Sequence, residues 1–333
     1  MPRFFALALP LCIVAACSKS PAGPTSSSPA TLLQGQTVNA IDGAAAPSVS
    51  VRVGTQLPVT TDTNGNFEVE VGGPGTFEVT VRGSGIVERR TTLVNPSEGR
   101  ARLSLIPADF DLTAFDEMFR TSNSRLQRWM SRPALLVLAS VMEYRTGSAD
   151  EYGATAEQMT DDEVQQMIAH MTEGLVMLTG GTFTSFESVT VERPPAGTRV
   201  NVVRGAHVVV GRYNGIVTFA NTIGYGLWDE LPNGTVVAGS MFLDRDFDKD
   251  DSRRRLLRIH ELGHALGYLH VTSRTSVMNP AIGPEPTEFD GQASKIAFQR
   301  LPGNRSPDTD PGVSGGIFGV TDGTRQRKTV FCR

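Results

Sequence analysis

The segment Arg253–His270, RRRLLRIHELGHALGYLH, constrains this chain more than any other. Leu256, Leu257, His260, Glu261, His264 and Leu266 fit helical spacing among good helix formers, so a helix is expected here. His260 and His264 stand at i and i+4 and project from one face, a turn apart. Gly267, three residues after His264, suits the left-handed backbone that ends a helix and turns the chain. On a continuing helix His270 would point away from the pair; the turn brings it back. Three imidazoles gathered in this way can bind one zinc ion at about 2.0–2.1 Å, with a fourth position kept for water. Glu261 lies beside the first ligand, where its carboxylate reaches that water and can act as general base. Three of the five histidines fall within this stretch, which sets it apart from a bare two-histidine motif.

The full pattern H-E-x-x-H-x-x-G-x-x-H is similar to the metzincin signature of zinc endopeptidases, and Ser276-Val277-Met278-Asn279-Pro280 resembles the Met-turn that completes it. By this resemblance Met278 forms a hydrophobic base beneath the metal, and Met278 and Pro280 carry the turn. The strand-like run Gly234–Leu243 and the acidic stretch Asp244–Asp251 come before the zinc helix in the order seen in matrixins. The resemblance implies calcium binding through Asp248 and Asp250; the alternative is a helix start enriched in acids that favour its dipole. It also implies an extended protein or peptide substrate along an edge strand around Val236–Phe242. No tyrosine closely follows Met278, so an astacin-type tyrosine ligand is not expected. The N-terminal cysteine-switch peptide of the family is missing, and Cys332 lies at the other end of the sequence.

The remaining segments are read as supports for that site. Ala134–Met142 reads as a buried strand, and Thr160–Leu178 as an amphipathic helix opened by a Thr160/Glu163 capping box. Thr198–Val203, His207–Val210 and Gly215–Thr222 read as strands, and Phe289–Gln299 as a closing helix. His170 is expected on a helix surface and His207 in a strand, neither in a second metal site.

Farther upstream, Ser48–Val53 alternates, Asn64-Gly65 marks a hairpin turn, and Gly72-Gly73-Pro74-Gly75 marks another turn. The run TDTNGNFEVEV resembles carboxypeptidase-regulatory-like (prealbumin-like) domains, which implies a small β-sandwich serving as a binding module or a spacer. The first residues, MPRFFALALPLCIVAACSKS, hold Arg3, an apolar run and Val14-Ala15-Ala16-Cys17. They resemble a bacterial lipoprotein signal with its lipobox, which implies lipidation of Cys17; the plainer alternative is a secretory signal cut near Ala16.

The expected fold class is α+β. The expected layout is a signal over 1–17, a Ser/Pro-rich tether over 18–32 and a β-sandwich over 33–106. A metzincin-like domain with a mixed twisted sheet follows over 107–302, then a Gly/Pro-rich tail over 303–333. A length of 333 residues accommodates two domains. A formal net charge of −4 gives no basic surplus for nucleic acid. With cysteines only at 12, 17 and 332, no disulfide framework or CxxC metal pair is available, and Cys332 reads as a tail cysteine of no chemical role. The function expected is that of a bacterial zinc endopeptidase, one zinc per chain, exported and lipid-anchored at the cell envelope or outer membrane, or extracellular. The alternative is a non-catalytic surface lipoprotein with a structural zinc site and a β binding module.

Overall fold

The computed structural model describes residues 31–95, 99–120, 125–144, 150–313 and 324–332. The signal-like segment, the lipobox Cys17 and nearly all of the tether lie outside the described residues. The chain is α+β.

Seven strands come first: β1 (Thr31–Asn39), β2 (Ser50–Val53), β3 (Val59–Thr60), β4 (Asn66–Val71), β5 (Gly75–Arg82), β6 (Arg89–Asn95) and β7 (Ala101–Leu105). They form one sheet ordered β4-β1-β7 and another ordered β3-β2-β5-β6. Alternation explains how they share a core: in β4, Phe67, Val69 and Val71 are buried while Glu68 and Glu70 face water. Val51, Val53, Val79 and Val81 of the second sheet join the same cluster.

The Asn64-Gly65 turn differs from the expected hairpin. Asp62 Oδ1 accepts from the amides of Asn64 and Asn66 at 2.9 and 2.7 Å, and Gly65 takes φ 75°. The flanking strands are not each other's partners, because β3 pairs with β2 and β4 with β1. The turn instead passes the chain from one sheet to the other. Buried Thr61 fixes its near side, accepting from the Val49 amide and donating to the Ala46 carbonyl at 3.1 and 3.2 Å.

The second part contains α1 (Leu112–Phe119), β8 (Arg128–Trp129), β9 (Ala134–Glu143), β10 (Glu151–Gln158), α2 (Asp161–Leu178), β11 (Val189–Glu192), β12 (Arg199–Asn201), β13 (His207–Asn214) and α3 (Ile216–Ala220). It continues with β14 (Gly224–Glu230), β15 (Thr235–Asp244), α4 (Arg245–Asp250), α5 (Arg254–Ala265), α6 (Glu288–Phe298) and β16 (Gln326–Cys332). The main sheet runs β12-β10-β9-β13-β15-β14-β16. Neighbours β9, β13 and β15 are parallel, whereas β14 and β16 are antiparallel additions.

β9 is apolar without alternation because both its faces are covered. Leu135, Val137 and Ala139 pack with the helices, and Leu136, Leu138 and Met142 join an aromatic cluster on the other face. The α2 capping box forms as the sequence predicts, Thr160 Oγ1 accepting from the Glu163 amide at 3.2 Å and Glu163 accepting from the Thr160 amide at 2.8 Å. Residues 215–222, read as a strand, instead make the short helix α3. Gly215 at φ 90° turns the chain out of β13, and Ile216 is buried in the core while Val217 is exposed.

The stretch after α6 packs tightly as far as Val313 and joins the two parts. Asp308 accepts from Arg89 Nη1 at 2.9 Å and from Arg300 Nε at 2.7 Å; Asp310 accepts from Arg89 Nη2 at 2.6 Å. Asn304 donates to both aspartates and accepts from Arg120 at 2.6 Å. All of these side chains are buried, so each charge depends on its partners.

Candidate metal centre

Helix α5 lies flat against β14 and β15, and glycines make that approach possible. A Cβ at Gly226 would come within 2.4 Å of His264 Cβ and 3.0 Å of the Glu261 carbonyl. One at Gly224 would meet Glu261 Oε1 at 2.8 Å. The helix then ends in a Schellman arrangement: the Gly267 amide donates to His264 O and the Tyr268 amide to Gly263 O, both at 2.9 Å, with Gly267 at φ 101°. This turn returns His270 to the face that holds His260 and His264.

The three Nε2 atoms converge. His264 Nε2 lies 3.0 Å from His260 Nε2 and 3.2 Å from His270 Nε2. His260 Nδ1 sits 2.7 Å from the Val277 carbonyl and His264 Nδ1 2.7 Å from the Tyr268 carbonyl. A carbonyl only accepts, so both Nδ1 atoms carry the proton and both Nε2 atoms present lone pairs to each other. A single cation would satisfy both lone pairs at once. Burial also holds these imidazoles neutral, pushing His260 down to about 3 and His264 well below the ordinary histidine value.

A fourth donor joins them. Cys332 Sγ, carried by β16, lies 3.0, 3.4 and 3.6 Å from the Nε2 atoms of His260, His264 and His270. A tetrahedral ion with metal–nitrogen bonds of about 2.0–2.1 Å and a metal–sulfur bond of about 2.3 Å places nitrogens about 3.3 Å apart and sulfur about 3.6 Å from nitrogen. The four ligand atoms, all within 4.8 Å of one another, therefore suit a metal ion, and they are the one such cluster among the described residues. Cys332 is thus not the inert tail cysteine expected. The run of β-branched and aromatic residues before it, Thr329-Val330-Phe331, was the available signal for a strand that could deliver it.

Glu261 is fully buried on the same helix, and the Cys332 thiol is the polar side chain its carboxyl meets. Burial pushes its pKa well above the usual carboxylate range. The same burial, reinforced by the neighbouring Glu261, pushes the Cys332 thiol up.

The turn after His270 supports the cluster from below. A Cβ at Gly263 would lie 2.4 Å from Met278 Sδ, so the methionine sits directly against the helix floor. Asp290 of α6 pins this turn, accepting from Ser276 Oγ and from the Val277 amide at 3.1 Å. Asn279 donates to the carbonyls of Val271 and Arg274 at 2.7 and 2.8 Å. Pro280 is exposed at the far side of the turn.

The calcium candidates do not gather. Asp248 is buried and accepts from Arg212 Nε at 2.7 Å and from Arg258 Nε and Nη2 at 2.6 and 2.8 Å. Asp248 and Asp250 belong to no metal-ligand cluster among the described residues. His170 Nδ1 lies 3.2 Å from Arg258 Nη1 and His207 Nδ1 lies 2.8 Å from Gly205 O, both apart from the metal centre. The expected substrate edge also moves: β15, which holds Val236–Phe242, is an inner strand between β13 and β14. Strand β14, GYGLWDE, carries two glycines and no β-branched residue, so the sequence concealed the strand lying between β15 and β16.

No known protein-family model matches the chain, and a search of curated proteins finds no similar sequence.

Proposed function

We propose that the ion is zinc and that the chain is a metalloendopeptidase of the metzincin, matrixin-like type. In this reading residues 107–302 are the metzincin-like domain and residues 33–106 a carboxypeptidase-regulatory-like β-sandwich. Export and lipidation at Cys17 would place the protein at the bacterial cell surface.

The observation that carries the reading is the fully buried carboxylate of Glu261 beside three converging Nε2 atoms. A carboxyl buried this deeply is costly, and a site that only stores a metal has no use for one. His260, His264 and His270 would hold zinc, which supplies a Lewis acid for the peptide carbonyl and a lowered pKa for water. Glu261 takes the proton of the attacking water and returns it to the departing amine. Its burial suits that task, because a raised carboxyl pKa narrows the gap to the groups it exchanges protons with. The backbone carbonyls of Val277 and Tyr268 lock the imidazole tautomers throughout. Met278 and Asp290 keep the turn that bears one of those carbonyls in place.

Cys332 favours a second reading. Four protein ligands are the mark of a structural zinc site, and such a site would suit a non-catalytic surface lipoprotein. The two are separated by measuring zinc content and cleavage of casein and a quenched peptide by the protein from Ser18 onward, with and without chelator, and by its Cys332→Ser variant. The peptidase reading expects one zinc per chain and chelator-sensitive internal cleavage by Cys332→Ser. Adding Glu261→Gln should keep the zinc and lower turnover by about 10²–10⁴-fold. Zinc without cleavage by either protein would favour the structural site.

A further inference from the structure

Strand β16 pairs antiparallel along all of β14, from Gly224 opposite Cys332 to Glu230 opposite Gln326. Its two faces are anchored differently. Toward α5, Val330 packs on the main core and Cys332 enters the ring of imidazoles. On the other face, Arg327 forks onto Asp229 through Nε–Oδ1 at 2.7 Å and Nη2–Oδ2 at 3.0 Å, and its remaining nitrogen reaches Asp150. Phe331 lies against Tyr225 with ring centroids 4.9 Å apart.

This strand adds little to the core. Only Cys332 of its seven residues is buried, and Phe331 remains 51% exposed. What it covers is more telling: the backbone edge of β14, the metal centre, the Tyr225 ring and Asp229. Asp229 is 5% exposed, and Arg327 is its one ionic partner among the described residues. Without β16, a buried carboxylate would have no counter-charge, and an open strand edge would end at the metal. An edge of backbone donors and acceptors, flanked by a carboxylate and an aromatic shelf, is a receptor for an extended peptide.

We propose that β16 is an internal occupant of the substrate track, and that its anchors mark the substrate class. That class is an extended segment with a basic residue at the place of Arg327 and an aromatic one at the place of Phe331, four positions later and next to the residue at the metal. The proposal rests on the peptidase reading above. With a metal held by the three histidines, Cys332 would supply the fourth ligand as its thiolate, the proton passing to solvent, so the strand and a substrate would exclude each other.

The test uses the full chain loaded with cobalt(II), together with a fluorescent peptide of the sequence 324–332 carrying serine in the last place. The thiolate-to-cobalt absorption is expected in the parent protein and absent from Cys332→Ser. Arg327→Glu, which repels β16 from Asp229, should raise alkylation of Cys332 by iodoacetamide at least tenfold. Combined with Cys332→Ser, it should raise peptide affinity at least tenfold over the parent. Replacing the arginine or the phenylalanine of the peptide should each lower affinity at least tenfold. Equal absorption in parent and Cys332→Ser, or peptide binding indifferent to both anchors, would overturn the proposal. Anchor-dependent binding with no cleavage by any variant would keep the occupied track and remove the peptidase reading. Cleavage without anchor dependence would do the reverse.

Discussion

Asp248 offers a sharp test of how the zinc helix is held. Both of its oxygens are taken by guanidinium groups, Arg212 from β13 and Arg258 from α5, and Asp248 and Arg258 are completely buried. In Asp248→Asn the shape is kept and the charge is lost. Arg212 retains Glu163 at 2.6 Å, but Arg258 keeps only neutral acceptors, the new amide oxygen and the Nδ1 atom of His170, and no anionic partner among the described residues. Breaking a buried pair so that one charge is stranded costs about 3–5 kcal/mol. At roughly 2–3 °C per kcal/mol for a chain of this size, the melting temperature should fall by roughly 6–15 °C. Adding Arg258→Met removes the stranded charge and should recover at least half of that loss. Thermal unfolding followed by circular dichroism, with and without millimolar calcium, measures both, and calcium should leave the parent curve unchanged. A fall of under about 1 kcal/mol for the single variant, or a double variant no better than the single, would refute the reasoning. A calcium-dependent rise in melting temperature that Asp248→Asn abolishes would reinstate the aspartate as a calcium ligand.

Other expectations follow from the same geometry. Gly226→Ala places a methyl 2.4 Å from His264 Cβ, so α5 must move off β14; metal affinity by competitive chelator titration should fall about 10–100-fold, and an unchanged affinity would show that the helix has slack. Glu163 sits at about 2: burial pushes it up, but hydrogen bonds from Arg212 and the Thr160 amide outweigh that. A depressed carboxylate contributes stability that is present above its ordinary value of 4.5 and lost as pH falls toward 2. Urea midpoints of the parent should therefore drop over that window, and Glu163→Gln should be less stable at neutral pH with a flatter acid limb. Parallel curves for the two proteins would count against the linkage.

Much of this was legible because the informative signals are local. Helix α2 with its capping box, the near-continuous apolar run of β9, and the helix–glycine–histidine run all depend on residues within a few turns of one another. What escaped is set by distant partners. Nothing near Cys332 says that it meets His260, because that contact is made by a strand joining the sheet 72 positions away. Asp248 looks like any acid at a helix start until two arginines from other elements converge on it. The Asn64-Gly65 turn has hairpin chemistry, yet which strands it joins was decided by the competition between two sheets for β4.

The buried ion network around Asp308 and Asp310 ends before Val313, and β16 begins at Gln326. The two lie on the same chain but share no ion pair among the described residues. While the chain is continuous, β16 is presented to its track at the effective concentration of a tethered ligand, on the order of millimolar. A single peptide-bond break between Val313 and Thr324 would remove that advantage and leave every pair in the network intact. The freed strand would then compete only at its bulk concentration, orders of magnitude lower. Opening the track would be a one-way event, driven by dilution, with the ion network around Asp308 and Asp310 left whole.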